Sequence, residues 1–91
     1  EIYRIVQEAV GNALKHSGAT AIAIGMLKDN HKMAVVVSDN GQPYLPAGKN
    51  TKAQRSGIGL RTMQQRAALI GATIDFHATR YGNTMTLTLK I

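Results

Sequence analysis

Apolar positions in the first sixteen residues recur at helical spacing. Ile2, Ile5, Val6, Ala9, Val10, Ala13 and Leu14 fall at steps of three and four, the pattern of a helix that buries one face. A helix is predicted over residues 1–16. Lys15 and His16 stand in its last turn, where cations meet the negative end of the macrodipole, and Ser17-Gly18 supplies a stop. Beyond it the period changes. From Thr20 to Leu27, Ile22, Ile24 and Met26 alternate with small Ala21, Ala23 and Gly25, and after Asp29-Asn30 a β-branched run extends from Met33 to Val37. These two segments predict an antiparallel hairpin.

Between Asn40 and Ser56 periodicity is lost, and Gly, Pro, Asn, Lys and Gln dominate. A structureless connection of about seventeen residues in so small a domain points to a functional lid or to disorder. Leu60, Met63, Ala67 and Ile70 then mark a second amphipathic helix closed by Gly71. Two further strands are predicted. Ile74, Phe76 and Ala78 share one face of the first, and Met85, Leu87, Leu89 and Ile91 oppose Thr84, Thr86, Thr88 and Lys90 in the second, with a turn at Tyr81-Gly82-Asn83. Helices with one apolar stripe and strands with one apolar face satisfy each other as two layers. The expected fold is therefore an α+β sandwich with helices on one face of a mixed or antiparallel sheet.

Composition narrows the class. The 91 residues are 44% hydrophobic and 18% charged, an ordinary globular balance sized for one domain over 1–91. No apolar run is long enough to cross a bilayer. With no cysteine there is no disulfide framework and no thiolate ligand or nucleophile, which fits a cytoplasmic setting. The chain lacks an initiator Met and Glu1 already lies in the helical pattern, so it reads as a piece of a longer protein. Eleven Lys and Arg against five Asp and Glu give a net charge of +6, which favours an anionic partner, either nucleic acid or a polyphosphate nucleotide. Tyr3, Tyr44, Phe76 and Tyr81 are too scattered to form the stacking platform of a single-strand binder. That observation disfavours nucleic acid.

Three stretches offer chemistry. On the first helix, Glu8, Asn12 and either Lys15 or His16 recur at steps of about four, which makes either a solvated polar face or a coordinating stripe. An Asn oxygen is a hard neutral ligand suited to Mg²⁺ that brings water and phosphate oxygens with it, and Glu8 stands where a carboxylate could hold a water or a proton. Asp39-Asn40-Gly41 is ordinary turn chemistry at a strand end. Asp39 can equally accept from the amine of adenine, and it would repel the O6 of guanine. Ser56-Gly57-Ile58-Gly59-Leu60 leads into the second helix, as a flexible approach to that helix or as a phosphate cradle of exposed N–H groups. It matches neither a Walker A loop nor a full G-x-G-x-x-G pattern. Lys49, Lys52, Arg55, Arg61 and Arg66 add positive charge nearby.

Taken in order, Glu8-Ala9-Val10-Gly11-Asn12-Ala13-Leu14-Lys15-His16, Asp39-Asn40-Gly41 and Gly57-Ile58-Gly59-Leu60 closely resemble the ATP-binding domain of sensor histidine kinases. These kinases share a superfamily with gyrase, heat-shock chaperone ATPases and mismatch-repair ATPases. Tyr3 to Ala9 and Gly59 to Ala67 look like the nitrate-sensor type. The resemblance spans essentially the whole chain and implies a Bergerat-type fold, N-terminally truncated, with ATP under a lid at about residues 42–55. It implies Asn12 as the Mg²⁺ ligand, Glu8 near the γ-phosphate and Lys15 and His16 bordering phosphates or base. Asp39 would take the adenine amine, with Gly41 beside the ring and Asn83 near adenine. Gly57, Ile58, Gly59 and Leu60 would meet the phosphates. Pro43 stands where the family carries a second glycine, and Asn83 where it often has threonine. The implied partners are a separate dimerisation domain bearing the phosphoacceptor histidine and a downstream response regulator, with no nucleic acid, and membrane attachment only through other parts of the full-length protein. The related alternatives are an anti-sigma-type serine kinase and a nucleotide-free interaction module. Because upstream elements are missing, Ile2, Ile5 and neighbouring strand faces are expected to be exposed.

Overall fold

A computed structural model describes residues 2–43 and 60–91 of the chain. Helix α1 runs over Ile2–Asn12 and passes into a wider π-helical turn at Ala13–Ser17, which Gly18 ends in the left-handed conformation at φ +64°. Strands β1 (Ile22–Lys28) and β2 (Lys32–Asp39) follow. Helix α2 (Leu60–Leu69), strand β3 (Ala72–Thr79) and strand β4 (Gly82–Lys90) complete the described chain. The sheet order is β1-β2-β4-β3, and every pairing is antiparallel.

One face of the sheet carries the core. Val35 and Val37 of β2, Phe76 of β3, and Met85 and Leu87 of β4 pack with Ile5 and Ala9 of α1 and Leu60, Met63 and Ala67 of α2. Residues of opposite parity, Thr84, Thr86 and Thr88 among them, point away from both helices, as the period of two requires. The predicted two-layer α+β architecture is therefore the observed one.

Several local expectations are corrected. Ile5 is fully buried and Ile2 half-buried, because the described elements alone cover the first helix. Leu14, assigned to the apolar stripe, is 63% exposed. The stripe assumes the α-helical period throughout, whereas the backbone widens after Asn12, keeping Ala13 and Ser17 buried and leaving Leu14 exposed between them. On β1 the expectation of exposed apolar surface holds: Ile24 and Met26 lie in register with core residues Val37 and Val35, yet they are 58% and 62% exposed. The last turn lies at Arg80-Tyr81, so Gly82 and Asn83 belong to β4, and Ile91 falls outside the strand.

The β1–β2 turn is an Asx turn. Asp29 Oδ1 accepts from the N–H groups of His31 and Lys32, both at 2.7 Å. The His31 and Lys32 donors hold the exposed Asp29 carboxyl below its ordinary value. A lowered folded-state value means that its stabilising contribution is complete above the ordinary carboxylate range and disappears as pH falls through the lowered value. An NMR titration of the Asp29 carboxyl should find its midpoint below that of an unfolded reference peptide, and Ser or Gly at His31 should leave that midpoint low because the bonds are to backbone.

Candidate functional site

The β2–β4 register sets Asp39 directly opposite Asn83. Both continue the core-facing parity of their strands, Asp39 after Val35 and Val37 and Asn83 before Met85 and Leu87, so the helix-facing side of the sheet ends in two polar groups. Asn83 is 2% exposed, and its Nδ2 donates to Asp39 Oδ1 at 3.1 Å and to the Gln42 carbonyl at 2.8 Å. The Gly41 N–H donates to the same Asp39 Oδ1 at 2.8 Å. Oδ2 takes neither bond. Asn40 serves a different purpose. Its Oδ1 accepts from the N–H groups of Thr20 and Ala21, and its Nδ2 donates to Thr20 Oγ1 at 2.9 Å. That residue ties the end of β2 to the start of β1.

The end of the first helix closes on the same knot. Ser17 is buried, donating from Oγ to the Ala13 carbonyl at 2.7 Å, while its own carbonyl accepts from the Gln42 N–H at 2.7 Å. A Cβ at Gly41 would collide with the Ser17 carbonyl oxygen, hydroxyl and Cβ, so only glycine permits this approach. Gly82 is constrained twice, by φ +145° and by the Asp39 carbonyl oxygen that occupies the place of a Cβ. Sequence reasoning misses Ser17, which it treats simply as a helix stop. Nothing in the sequence distinguishes a serine that ends a helix from one whose carbonyl anchors a distant loop.

Asn12 closes α1 on the buried face shared with Ile5 and Ala9 and is 4% exposed. Asn12 and Asp39 therefore both lie on the side of the sheet where the helices pack. The single polar stripe drawn from Glu8 to His16 does not survive, because Glu8, Lys15 and His16 are exposed while Asn12 is buried. Glu8 lines a cleft of about 180 Å³ with Arg4, Gln7 and Arg66. Asp39 lines a separate shallow depression of about 270 Å³ with Ala21, Ile22, Ala23, Ser38 and Asn40. Asn12 borders neither. Leu60 begins α2 with its side chain in the core, so what it can offer a ligand is backbone. Gly57, Ile58 and Gly59, and the lid from residue 44 onward, lie outside the described residues.

A family model described as histidine kinase-, DNA gyrase B-, and HSP90-like ATPase matches residues 1–91. The chain belongs to this ATPase family. Among its relatives, the sensor histidine kinase MctS of Rhizobium johnstonii is 36% identical over 85 residues, covering 93% of this chain and 18% of that protein. The sensor protein VraS of Staphylococcus aureus is 34% identical over 76 residues, covering 84% of this chain and 20% of that protein. The chain thus spans about a fifth of the length of either relative. Two solved structures share its fold. The histidine kinase AdeS of Acinetobacter baumannii superposes with a TM-score of 0.81 at 17% identity, covering 98% of this chain and 45% of that one. The ATP-binding domain of PrrB from Mycobacterium tuberculosis gives 0.76 at 24% identity, covering 98% and 65%.

Within this ATPase-family fold the donor set suits one kind of metal site. No group of three or more His, Cys, Asp or Glu gathers among the described residues. Asn12 offers one hard carboxamide oxygen, which suits Mg²⁺ carried in by phosphate oxygens and waters and not an ion caged by protein. None of the helices among the described residues is long and apolar enough to cross a membrane.

Proposed function

We propose that residues 1–91 form the ATP-binding catalytic domain of a cytoplasmic sensor histidine kinase of the nitrate-sensor type, with a lid at about residues 42–55. It would transfer the γ-phosphoryl of Mg-ATP to a histidine on a separate dimerisation domain that then serves a response regulator. The observation that carries this reading is the Asp39–Gly41–Asn83 knot, built on the helix side of the sheet and locked to the end of the Asn12 helix through Ser17, in a chain of the ATPase family. The names of two relatives, sensor histidine kinase MctS and sensor protein VraS, support the assignment to a sensor kinase.

In this reading each residue has a physical role. Asp39 accepts from the exocyclic amine of the base, with Gly41 beside the ring. Asn12 holds Mg²⁺, which when bound neutralises charge on the phosphate oxygens. Glu8 orients the incoming histidine, and Lys15 and His16 border the phosphates or the base from the π-helical turn. Gly57, Ile58, Gly59 and Leu60 would meet the phosphates, and Leu60 begins α2, where the helix dipole favours negative charge.

The test is titration of the protein with a fluorescent ATP analogue in Mg²⁺, with ATP and GTP as competitors, followed by phosphotransfer from labelled ATP to the acceptor domain. Displacement by ATP well before GTP, then label on a histidine, is the expected result. Absence of nucleotide binding would instead favour a nucleotide-free interaction module, and label on serine a serine kinase.

A further inference from the structure

Asn83 is placed to act through Asp39 and has little surface of its own for a ligand. Only 2% of it is exposed, and its single Nδ2 reaches two acceptors that belong to different segments, Asp39 Oδ1 at 3.1 Å and the Gln42 carbonyl at 2.8 Å. Gln42 is therefore held at both ends of its backbone, its N–H by the Ser17 carbonyl and its C=O by Asn83. Asp39 is held through one oxygen alone, since the Gly41 N–H converges on the same Oδ1. Two donors on one oxygen restrain the rotation of the carboxylate about its last bond and leave the lone pairs of Oδ2 outside these two bonds.

Resting on the adenine-binding reading of Asp39, we infer that Asn83 is a positioning residue for base selectivity: its carboxamide aims Asp39 at the base and does not contact the nucleotide. Pre-aimed acceptors discriminate because a mispaired buried polar group is costly, whereas a carboxylate free to rotate can turn to solvent when the base lacks a donor. Asn83 thus governs the ratio between nucleotides that carry the amine and those that lack it, more than the affinity for nucleotide in general.

The experiment compares ATP with purine riboside triphosphate, which lacks the exocyclic amine, by calorimetric titration in Mg²⁺. The proteins are the parent, Asn83→Leu, which matches the side chain in size without its donor, and Asn83→Ser, which keeps a polar group too short to span both acceptors. The parent should prefer ATP by about tenfold or more. In either variant the preference should shrink to about twofold, with the purine analogue bound nearly as in the parent. A purely structural role would weaken both ligands by one factor and leave the ratio intact, so a parental ratio in a folded variant overturns the inference. If Asn83→Leu fails to melt cooperatively, Asn83→Ser decides. A parent that binds neither nucleotide, or both alike, overturns the adenine-binding reading itself and the inference with it.

Discussion

Asp39→Asn should lower ATP affinity by about ten- to a hundredfold while leaving the fold nearly as stable as before. The substitution is unusually clean in this setting. Asparagine retains an Oδ1 acceptor for the Gly41 N–H and for Asn83 Nδ2, at 2.8 and 3.1 Å in the parent, so the knot persists. What changes is the second position, where an acceptor becomes an NH₂ donor and meets the donor amine of adenine. The same swap makes a 6-oxo purine acceptable. Inosine triphosphate should therefore gain on ATP in competition, and calorimetric titration with both nucleotides measures the exchange. ATP affinity equal to the parent's would remove Asp39 from the base site.

Asn12→Ala should abolish the dependence of nucleotide binding on Mg²⁺ and slow phosphotransfer by about a hundredfold or more, since a bound metal contributes several kcal/mol of charge stabilisation in such reactions. Asn12 is buried and no buried side-chain nitrogen or oxygen among the described residues lacks a hydrogen-bond partner. Its loss therefore also costs roughly 1–3 kcal/mol of stability by stranding its partners. Melting curves separate the two effects. Asn12→Asp retains an oxygen ligand and should keep the Mg²⁺ response that alanine loses. If the alanine protein titrates Mg-ATP as the parent does, position 12 is not the metal ligand.

The elements are legible in the sequence because each carries an unbroken period. Leu60, Met63 and Ala67 mark one stripe of α2, and Met85 and Leu87 alternate with threonines along β4, as the structure has them. Leu14 misleads because a helix that widens at Ala13 leaves no trace in an apolar pattern read at a fixed period. Ile24 and Met26 mark the apolar face of β1 and are exposed, as expected of a strand face left uncovered, since alternation names the face of a strand but not whether a second layer covers it. At the site, Asp39 and Gly41 are visible as chemistry at a strand end, and Asn83 through its place in the family pattern. Their union is not visible. It depends on the β2–β4 register and on Ser17 approaching Gly41, both set by contacts between residues far apart in sequence.

Whether the helix end and the strand end serve one nucleotide is read directly by backbone amide NMR of the protein titrated with Mg-ATP. Amides of Asn12, Asp39, Gly41 and Asn83 should shift together along one saturation curve, while Thr86 and Thr88 on the opposite face of the sheet stay in place. If Asn12 and Asp39 respond with different affinities, or neither moves while nucleotide binds elsewhere, they do not share a ligand and the proposed site is wrong.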